Sequence, residues 1–315
     1  MTTRYNIGCA TDKNYAQHLG IMIYSLMSNT KYPELFDIYI VDGGILPEDI
    51  NRFEEVAIKF GCKLHFLKPD RAYFEKLKIF EIYSEATYYR YFLLDTLLID
   101  KMLYLDCDMI IEGDVTELYN VNQEGNIISA SYEVLCPVKH LEKINLTKSF
   151  NAGMMLIDCK KWQEDKISQK AYQYQIDNEH LLEYPDQDSL NIILQDTWQI
   201  VPYRWNVIAR LGLVKYGLGN ADFRFYSKEE IFNEYNNPKI IHYANRLFKP
   251  WFWLDPSPYK KNYLHYKKLS PWGDVPFSDK SLMGVINRVQ YYFSFVFKYF
   301  KRNNFSPKVA TKLNK

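Results

Sequence analysis

The chain has 315 residues with 39 basic and 38 acidic side chains, a formal charge of +1, and 47% of its residues are hydrophobic. This composition excludes a collagen-like, coiled-coil or wholly disordered chain, and the length allows one large domain or two smaller ones. The near-zero total is the sum of two segments of opposite charge. After Asp279 come eight basic residues and no acid, so residues 1–279 carry 31 basic and 38 acidic side chains and a charge of −7.

The five cysteines are scattered and form no CxxC pair, which argues against a disulfide framework and against a zinc site. The first fifteen residues, MTTRYNIGCATDKNY, contain no long apolar stretch typical of a secretory signal. The sequence therefore predicts a protein of the reducing cytoplasm.

The first half of the chain alternates strand-like and helix-like patterns. Apolar runs predict strands at 7–11, 36–41, 63–67 and 101–105, and helical spacing predicts helices at 15–26, 47–60 and 87–98, with Gly61 as a C-cap. Alternating strands and helices at this spacing imply right-handed crossovers and a mostly parallel sheet. Ligands of such sheets gather at the carboxyl ends of strands, which is where Asp12 and Asp106 stand.

The second half of the chain is less regular. It predicts a strand at 150–158, one long helix at 162–182, an acidic segment at 184–188 leading into a helix at 189–194, and a short strand at 239–242. Pro271, Gly273 and Pro276 break the pattern near residue 270. We expect a catalytic domain over residues 1–270 and a separate basic, aromatic segment over 271–315.

Two carboxylates, Asp106 and Asp108, directly follow the apolar strand 101–105. Side chains two apart at a strand end can reach one hard divalent cation such as Mg²⁺ or Mn²⁺, although short acidic clusters also occur in solvated turns. His242 ends the strand 239–242, and an imidazole ligand would favour Mn²⁺; the alternative is a hydrogen-bonded core histidine. Lys249 is either a group that stabilises a leaving diphosphate or a surface lysine.

Six ordered motifs between about residue 5 and residue 251 resemble glycosyltransferase family 8, which includes bacterial lipopolysaccharide galactosyl- and glucosyltransferases and, as distant kin, glycogenin. The motifs are Ala10-Thr11-Asp12-x-Asn14-Tyr15, Arg90, Leu103-Tyr104-Leu105-Asp106-Cys107-Asp108, Phe150-Asn151-Ala152-Gly153, Asp186-Gln187-Asp188-x-Leu190-Asn191, and His242-Tyr243 with Lys249-Pro250-Trp251. The resemblance implies an α/β protein with a GT-A fold, that is, a single Rossmann-like, mostly parallel sheet flanked by helices, followed here by the C-terminal basic aromatic helical extension.

The resemblance also implies a UDP-hexose donor, Mn²⁺ (or Mg²⁺) as cofactor, and retention of the anomeric configuration. The implied metal ligands are Asp106, Asp108 and His242. The implied donor-binding residues are Ala10, Thr11, Asp12, Asn14, Tyr15, Arg90, Asp106, Cys107, Asp108, Asn151, Ala152, Asp186, Gln187, His242, Asn245 and Lys249.

The resemblance implies catalytic roles for Asp186, Gln187 and Lys249. A retaining hydrolase uses two carboxylates about 5 Å apart, one of them as the nucleophile. The family instead offers Gln187 near the anomeric carbon, and an amide is a poor nucleophile. We therefore expect front-face substitution through an oxocarbenium-like state, in which the departing UDP phosphate accepts the proton of the acceptor.

One segment departs from the family pattern His-x-x-Gly-x-x-Lys-Pro-Trp. Residues 242–251 are one residue longer and lack the glycine, which puts a close backbone contact with phosphate in doubt. Asn245 can adopt the left-handed conformation in place of the glycine. Arg246 either supplies a compensating charge or points to solvent.

The segment 282–300 is rich in apolar and aromatic side chains but too polar for a spanning helix. As a helix it would set a basic stripe against an aromatic face, which is typical of a helix lying in the plane of an anionic membrane; the alternative is a helix docked on the catalytic domain. We expect a peripheral protein on the inner face of the cell membrane. Its acceptor, a saccharide or a lipid-linked glycan, would be selected by loops such as 132–148 with Cys136-Pro137.

Two other functions stay open from the sequence. One is a haloacid-dehalogenase-like phosphatase with Asp106 as nucleophile and Asp108 as general acid, although that class carries its DxD near the first strand. The other is a sugar-nucleotide-binding or peripheral membrane protein without activity. No nucleic-acid partner is predicted, and the sequence does not define the oligomeric state or distinguish a glucose from a galactose donor.

Overall fold

The computed structural model describes residues 4–74, 85–216, 220–244, 249–255, 257–277, 279, 284–286, 289–290 and 293. Two sequence predictions lie outside the described residues: the conformation and roles of Asn245 and Arg246, and most of the tail helix at 282–300.

The described residues form an α/β structure. Its strands are β1 (Tyr5–Asp12), β2 (Phe36–Gly43), β3 (Lys63–Leu67), β4 (Lys101–Leu105), β5 (Met109–Ile111), β6 (Ile128–Tyr132), β7 (Phe150–Asp158), β8 (Trp198–Ile200), β9 (Val207–Ile208) and β10 (Ile240–His242). Its α-helices are α1 (Ala16–Ser28), α2 (Pro47–Phe60), α3 (Arg71–Phe74), α4 (Tyr89–Thr96), α5 (Thr116–Tyr119), α6 (Val138–Lys143), α7 (Cys159–Glu164), α8 (Ile167–Asp177), α9 (Pro185–Ile193), α10 (Lys228–Asn236) and α11 (Lys260–Leu269). Short 3-10 turns cover Pro33–Leu35, Glu85–Tyr88, Glu179–Leu181, Tyr203–Trp205 and Ala209–Tyr216.

Seven strands form the central sheet in the order β3-β2-β1-β4-β7-β6-β8. In this sheet β1 pairs in parallel with β2 and with β4, and β2 pairs in parallel with β3. β6 and β8 are also parallel, whereas β7 runs antiparallel to both β4 and β6. The predicted mostly parallel sheet flanked by helices is therefore confirmed. The structure adds a second sheet of three short strands, in the order β5-β10-β9, which the prediction of a single sheet did not include.

Strand β4 shows how the central sheet is covered on both faces, because successive side chains of a strand point to opposite sides. Leu103 and Leu105 pack into one apolar cluster with residues of α1, α2 and α11. Met102 and Tyr104 pack into the other cluster with residues of α4 and α8. Apolar burial on both faces fixes the position of β4 in the sheet, and therefore the position of the acidic residues that follow it.

Two predicted helices differ from those observed. The predicted helix at 162–182 is wrong as one element, because Lys166 adopts a left-handed conformation (φ 53°) that separates α7 from α8. The predicted helix at 189–194 begins too late: Pro185 occupies the first turn of α9, where its fixed φ is favourable, and the acidic residues belong to that turn. The predicted cap is confirmed, since Gly61 ends α2 with φ 72°.

The residues just after the predicted boundary at 270 pack on the part of the chain before it. The Trp272 ring is fully buried, and its Nε1 donates to Asp49 Oδ1 at 2.6 Å. Asp279 Oδ1 accepts from the backbone N–H of Trp253 at 2.7 Å. Over the part of the chain that the structure describes, no helix combines the length and apolarity needed to cross a membrane.

Candidate active site

Two strand pairings bring the candidate metal ligands together. β1 and β4 pair in parallel with Gly8 opposite Tyr104, so both strands end at the same edge of the central sheet. The chain passes through Asp106 and Asp108 and returns as β5, which pairs with β10 so that Met109 lies opposite His242. The long-range pairing of β5 with β10 therefore carries the histidine to the two carboxylates.

Asp106, Asp108 and His242 converge on one point. One potential ligand atom from each lies within 4.8 Å of the others. His242 Nε2 is 3.2 Å from Asp108 Oδ1 and 4.0 Å from Asp106 Oδ2. The imidazole is buried, whereas both carboxylates remain partly exposed to the cavity, which leaves a path by which an ion can enter.

A chain of hydrogen bonds orients the ring of His242. The backbone N–H of Gly153 donates to Asn151 Oδ1 at 3.1 Å, which identifies that atom as the oxygen. Asn206 Nδ2 donates to the same oxygen at 3.1 Å, so Asn206 Oδ1 accepts from His242 Nδ1 at 2.9 Å. Nδ1 therefore carries a proton, and Nε2 is the ring nitrogen that faces the carboxylates.

This arrangement fits a divalent cation. Nε2 and the two carboxylates face one point, and an imidazole oriented by a hydrogen bond at its other nitrogen is typical of metal ligands. Two oxygens and one nitrogen are compatible with Mn²⁺. The identity of the ion stays a prediction.

Lys249 contacts the same carboxylate as His242. Its Nζ forms an ion pair with Asp108 Oδ2 and donates to the backbone oxygen of Tyr243 at 2.9 Å. Burial opposes ionisation of Asp108, but the positive charge of Lys249 and the contact with His242 outweigh it and hold the pKa of Asp108 below its ordinary value. Burial likewise opposes the charge on Lys249, and attraction to Asp108 outweighs it and raises the pKa of Lys249. Both groups are therefore charged at neutral pH.

Arg90 connects the metal-ligand group to β7 and α9. It donates to the backbone oxygen of Ala152 at 3.0 Å, and its Nη2 lies 3.3 Å from Asp106 Oδ1 and 3.5 Å from Asp186 Oδ2. Burial raises the pKa of Asp186, and Arg90 opposes the rise. The guanidinium also lies over the Tyr104 ring, 4.9 Å from its centroid. Arg90 therefore fixes two acids at the base of the site.

The Asp186-Gln187-Asp188 segment forms the first turn of α9. Gln187 Oε1 accepts from the backbone N–H of Ala152 and from Asn151 Nδ2, each at 3.2 Å. Asp188 is buried, and both its oxygens are engaged: Oδ1 lies 3.0 Å from His140 Nε2, and Oδ2 accepts from two backbone N–H groups. Asp188 thus serves to hold the start of the helix, and Gln187 is tied to β7.

The predicted nucleotide-binding residues lie at the end of β1. Asp12 Oδ1 accepts from the backbone N–H groups of Asn14 (2.8 Å) and Tyr15 (3.1 Å), so its carboxylate turns the chain into α1. The exposed Tyr15 ring packs edge-to-face on Trp251 with centroids 5.7 Å apart. Trp251 in turn stacks on His18 at 3.7 Å, which supports the Tyr15 ring from behind.

A cavity of about 660 Å³ joins these groups. Of the residues predicted to bind the donor, its described lining includes Tyr15, Arg90, Asp106, Asp108, Asn151, Ala152, Asp186, Gln187, His242 and Lys249. The described lining does not include Ala10, Thr11, Asp12, Asn14 or Cys107, which lie near the lining residues Tyr15, Asp106 and Asp108 in the sequence. Burial raises the pKa of Cys107 well above its ordinary value, so this thiol stays protonated. Cys136 and Pro137 of the predicted acceptor loop also line the cavity.

Sequence reasoning missed several residues of the cavity or its support. Asn206, which orients His242, follows Trp205 without any motif around it. Glu133, Tyr184 and Arg210 line the cavity from segments that are far apart in the chain. Two of them had a local signal: Tyr184 directly precedes the acidic turn of α9, and Glu133 lies in the predicted acceptor loop 132–148.

Comparison with solved structures places the fold. A crystal structure of the galactosyltransferase LgtC in complex with donor and acceptor sugar analogues superimposes with a TM-score of 0.70. The match covers 84% of this chain and 96% of that chain at 21% identity. The chain therefore has a GT-A fold, as predicted.

A family model described as "Glycosyl transferase family 8" matches residues 6–254. General stress protein A of Bacillus subtilis (strain 168) is 31% identical over 281 residues, which cover 85% of this chain and 94% of that protein. Lipopolysaccharide 1,2-glucosyltransferase of Escherichia coli (strain K12) is 26% identical, with coverage of 88% and 82% respectively. The chain belongs to glycosyltransferase family 8, as its sequence motifs predicted.

Proposed function

We propose that the protein transfers a hexose, glucose or galactose, from a UDP-sugar to a glycan or glycolipid acceptor, with retention of configuration and with Mn²⁺ as cofactor. The observation that carries this proposal is the convergence of Asp106, Asp108 and Nε2 of His242 in the wall of the cavity. The similarity to a lipopolysaccharide glucosyltransferase supports a hexose donor and a lipopolysaccharide-type or related cell-surface acceptor.

In this proposal Asp106, Asp108 and His242 hold the ion, which when bound supplies positive charge to the diphosphate of the donor. Lys249 adds a second positive charge on the same side of the cavity. The Tyr15 ring stacks on the uracil, and Asp12 with the backbone of Ala10 and Thr11 contacts the base and ribose. Arg90, Asn151, Ala152, Asp186 and Gln187 contact the hexose.

We infer front-face substitution as the reaction. The acceptor hydroxyl oxygen bonds to the anomeric carbon while the bond from that carbon to the UDP phosphate oxygen breaks, and the hydroxyl proton passes to the departing phosphate. The engagement of both Asp188 oxygens supports this route, because a carboxylate held by His140 and two backbone N–H groups is a poor nucleophile. Asp186 is held near Arg90 at the base of the cavity.

The direct test measures release of UDP from UDP-glucose and UDP-galactose in the presence of Mn²⁺. We expect wild-type protein to release UDP and Asp108→Asn to lower the rate about 100-fold or more, because a charge that organises the diphosphate site is lost. Asp274→Asn, at an exposed carboxylate 3.7 Å from Arg52, is the matched control and should match wild type.

The result separates the three candidate functions. A phosphatase would release inorganic phosphate from phosphomonoesters and leave UDP-sugars intact, and a protein without activity would bind UDP-sugars without turnover. Either outcome for the wild type would contradict the proposal. A glycosyl-enzyme trapped at Asp186 or Asp188 in the native protein would contradict front-face substitution alone.

We also propose that the protein works at the inner face of the cell membrane, held there by its basic C-terminal segment. The proposal rests on the +8 charge after Asp279 and on the aromatic content of residues 282–300. A lipid-linked acceptor at that surface would explain why the protein carries a membrane-binding segment.

A further inference from the structure

Arg210 is a charged residue of the cavity that the reaction described above does not use. It follows β9 by two residues, and Ile208 of that strand lies opposite His242 of β10. The backbone on either side is fixed, since Ala209 and Leu211 are buried. Arg210 thus lines the same cavity as the candidate metal ligands and is positioned from the same small sheet.

The guanidinium of Arg210 has an unsatisfied donor within the described residues. Its Nε is buried without a hydrogen-bond partner among the described residues. An unpaired buried donor costs free energy unless a ligand satisfies it. The two glutamates of the cavity wall have other partners: Glu133 accepts from Asn151 Nδ2 (2.8 Å) and the backbone N–H of Leu135 (3.1 Å), and Glu183 lies 3.6 Å from His140 Nδ1.

An exposed aromatic ring accompanies this charge. The Tyr184 side chain is about half exposed and lines the cavity. Burial raises the pKa of its hydroxyl and the positive charge of Arg210 opposes the rise, which places the two groups within electrostatic reach. Tyr184 precedes Asp186 and Gln187 in the chain, so this wall stands beside the expected position of the hexose.

We propose that Arg210 and Tyr184 form an acceptor subsite selective for a sugar that carries an anionic oxygen group, with Arg210 binding the anion and the Tyr184 ring packing on the sugar face. This inference rests on the proposed hexosyl transfer. A planar guanidinium binds carboxylate and phosphate oxygens by paired, charge-assisted hydrogen bonds, and an aromatic face covers the apolar face of a sugar ring. Arg210 is thus a specificity-determining residue, and the chemistry of the metal end does not depend on it.

The test compares acceptors that differ only in charge. The probes are the 4-nitrophenyl glycosides of glucose, of glucuronic acid and of glucose 6-phosphate, so that separate arms distinguish a carboxylate from a phosphate. Binding of each glycoside to the protein with UDP and Mn²⁺ is measured by calorimetry, and transfer is measured by product formation. UDP release without acceptor is recorded first, because its absence would contradict the proposed function and not the subsite.

We expect at least one anionic glycoside to bind wild type about 10- to 100-fold more tightly than the neutral glycoside, as paired hydrogen bonds to a charged group allow. Arg210→Gln should abolish this ratio, and Arg210→Lys should reduce it, because a lysine keeps the charge but loses the planar fork. Lys139→Gln removes an exposed charge outside the cavity lining and should keep the wild-type ratio.

The readout is a ratio between glycosides within one variant, so a change in overall activity or stability does not mimic the result. Equal binding of neutral and anionic glycosides by wild type, including no measurable binding of either, would overturn the subsite. An unchanged ratio in Arg210→Gln would overturn it as well.

Discussion

Single side chains decide whether the three candidate metal ligands can act as a unit. The Nδ1–H of His242 donates to Asn206 while Nε2 faces the carboxylates, and Asn206 is oriented by Asn151. The hydrogen-bonded partner of a metal-ligating histidine commonly contributes 10- to 100-fold to affinity. Asn206 is therefore a positioning residue, although it does not line the cavity among the described residues.

We expect Asn206→Ala to raise the dissociation constant for Mn²⁺ by about 10- to 100-fold, because the His242 ring loses the group that fixes its tautomer. Titration followed by the electron paramagnetic resonance signal of free Mn²⁺ measures this constant directly. Asn237→Ala, an exposed asparagine at the end of α10, is the control. A folded Asn206→Ala protein with wild-type Mn²⁺ affinity would show that the tautomer is set in another way.

The site residues that could be predicted from the sequence are those within local motifs. Asp106, Asp108 and Lys249 each follow or precede a recognisable pattern, and His242 ends a short strand. Asn206 and Arg210 gave no such signal, because their positions come from the pairing of β9 with β10. Asp188 belongs to a predicted motif, yet only the structure shows that its oxygens are taken up in holding α9.

At the scale of elements, β7 is the strand whose residues contact most groups of the candidate site. The strand contributes Asn151, Ala152 and Gly153, and the backbone at Gly153 passes directly under the metal-ligand group. A Cβ at this glycine would lie 2.4 Å from His242 Cε1 and 2.8 Å from Asp106 Oδ2. Only glycine therefore lets the strand approach both groups.

We expect Gly153→Ala to lower the rate of UDP release about 100-fold, since displacement of reactive groups by about 1 Å has costs of that order. Gly113→Ala is the control, because the three atoms nearest to its added methyl belong to the flexible side chain of Lys239, and neither residue is in the described lining of the cavity. Circular dichroism and thermal denaturation of both variants separate a local effect from unfolding. Wild-type turnover by a folded Gly153→Ala protein would contradict the proposed role of β7.

Strands β1 to β4 and helices α1 and α2 could be predicted because their apolar periodicity is strong and local. The small sheet of β5, β9 and β10 could not be assembled from sequence, since strands of two or three residues carry no periodicity and are joined only by long-range pairing. The break between α7 and α8 depends on one left-handed residue, Lys166, whose type does not favour that conformation.

At the scale of the whole molecule, charge is divided between two parts. The body, residues 1–279, carries −7, and part of that charge lies in the acids around the candidate metal site. The segment after Asp279 carries +8. A total of +1 is therefore no argument against an anionic surface as partner, because attraction between charges in salt acts over about 10 Å and depends on the local charge.

The proposed membrane association predicts that basic residues of the C-terminal segment, and not those of the body, control binding to anionic vesicles. Each Lys or Arg near an anionic surface contributes about 1 kcal/mol. Changing Lys298, Lys301 and Arg302 together to Gln should therefore lower partitioning onto vesicles that contain phosphatidylglycerol by about 100-fold.

Flotation of the full chain with such vesicles measures this partitioning. The matched control changes three exposed lysines of the body, Lys160, Lys228 and Lys261, to Gln. The net charge falls by the same amount in both variants, but the control keeps every basic residue of the C-terminal segment, so it should float like wild type. At 1 M salt the screening length falls to about 3 Å, so any electrostatic binding should weaken strongly in wild type. If the two triple variants float equally, net charge alone governs the interaction and the segment is not the anchor; if wild type does not float at all, the protein has no affinity for the anionic surface.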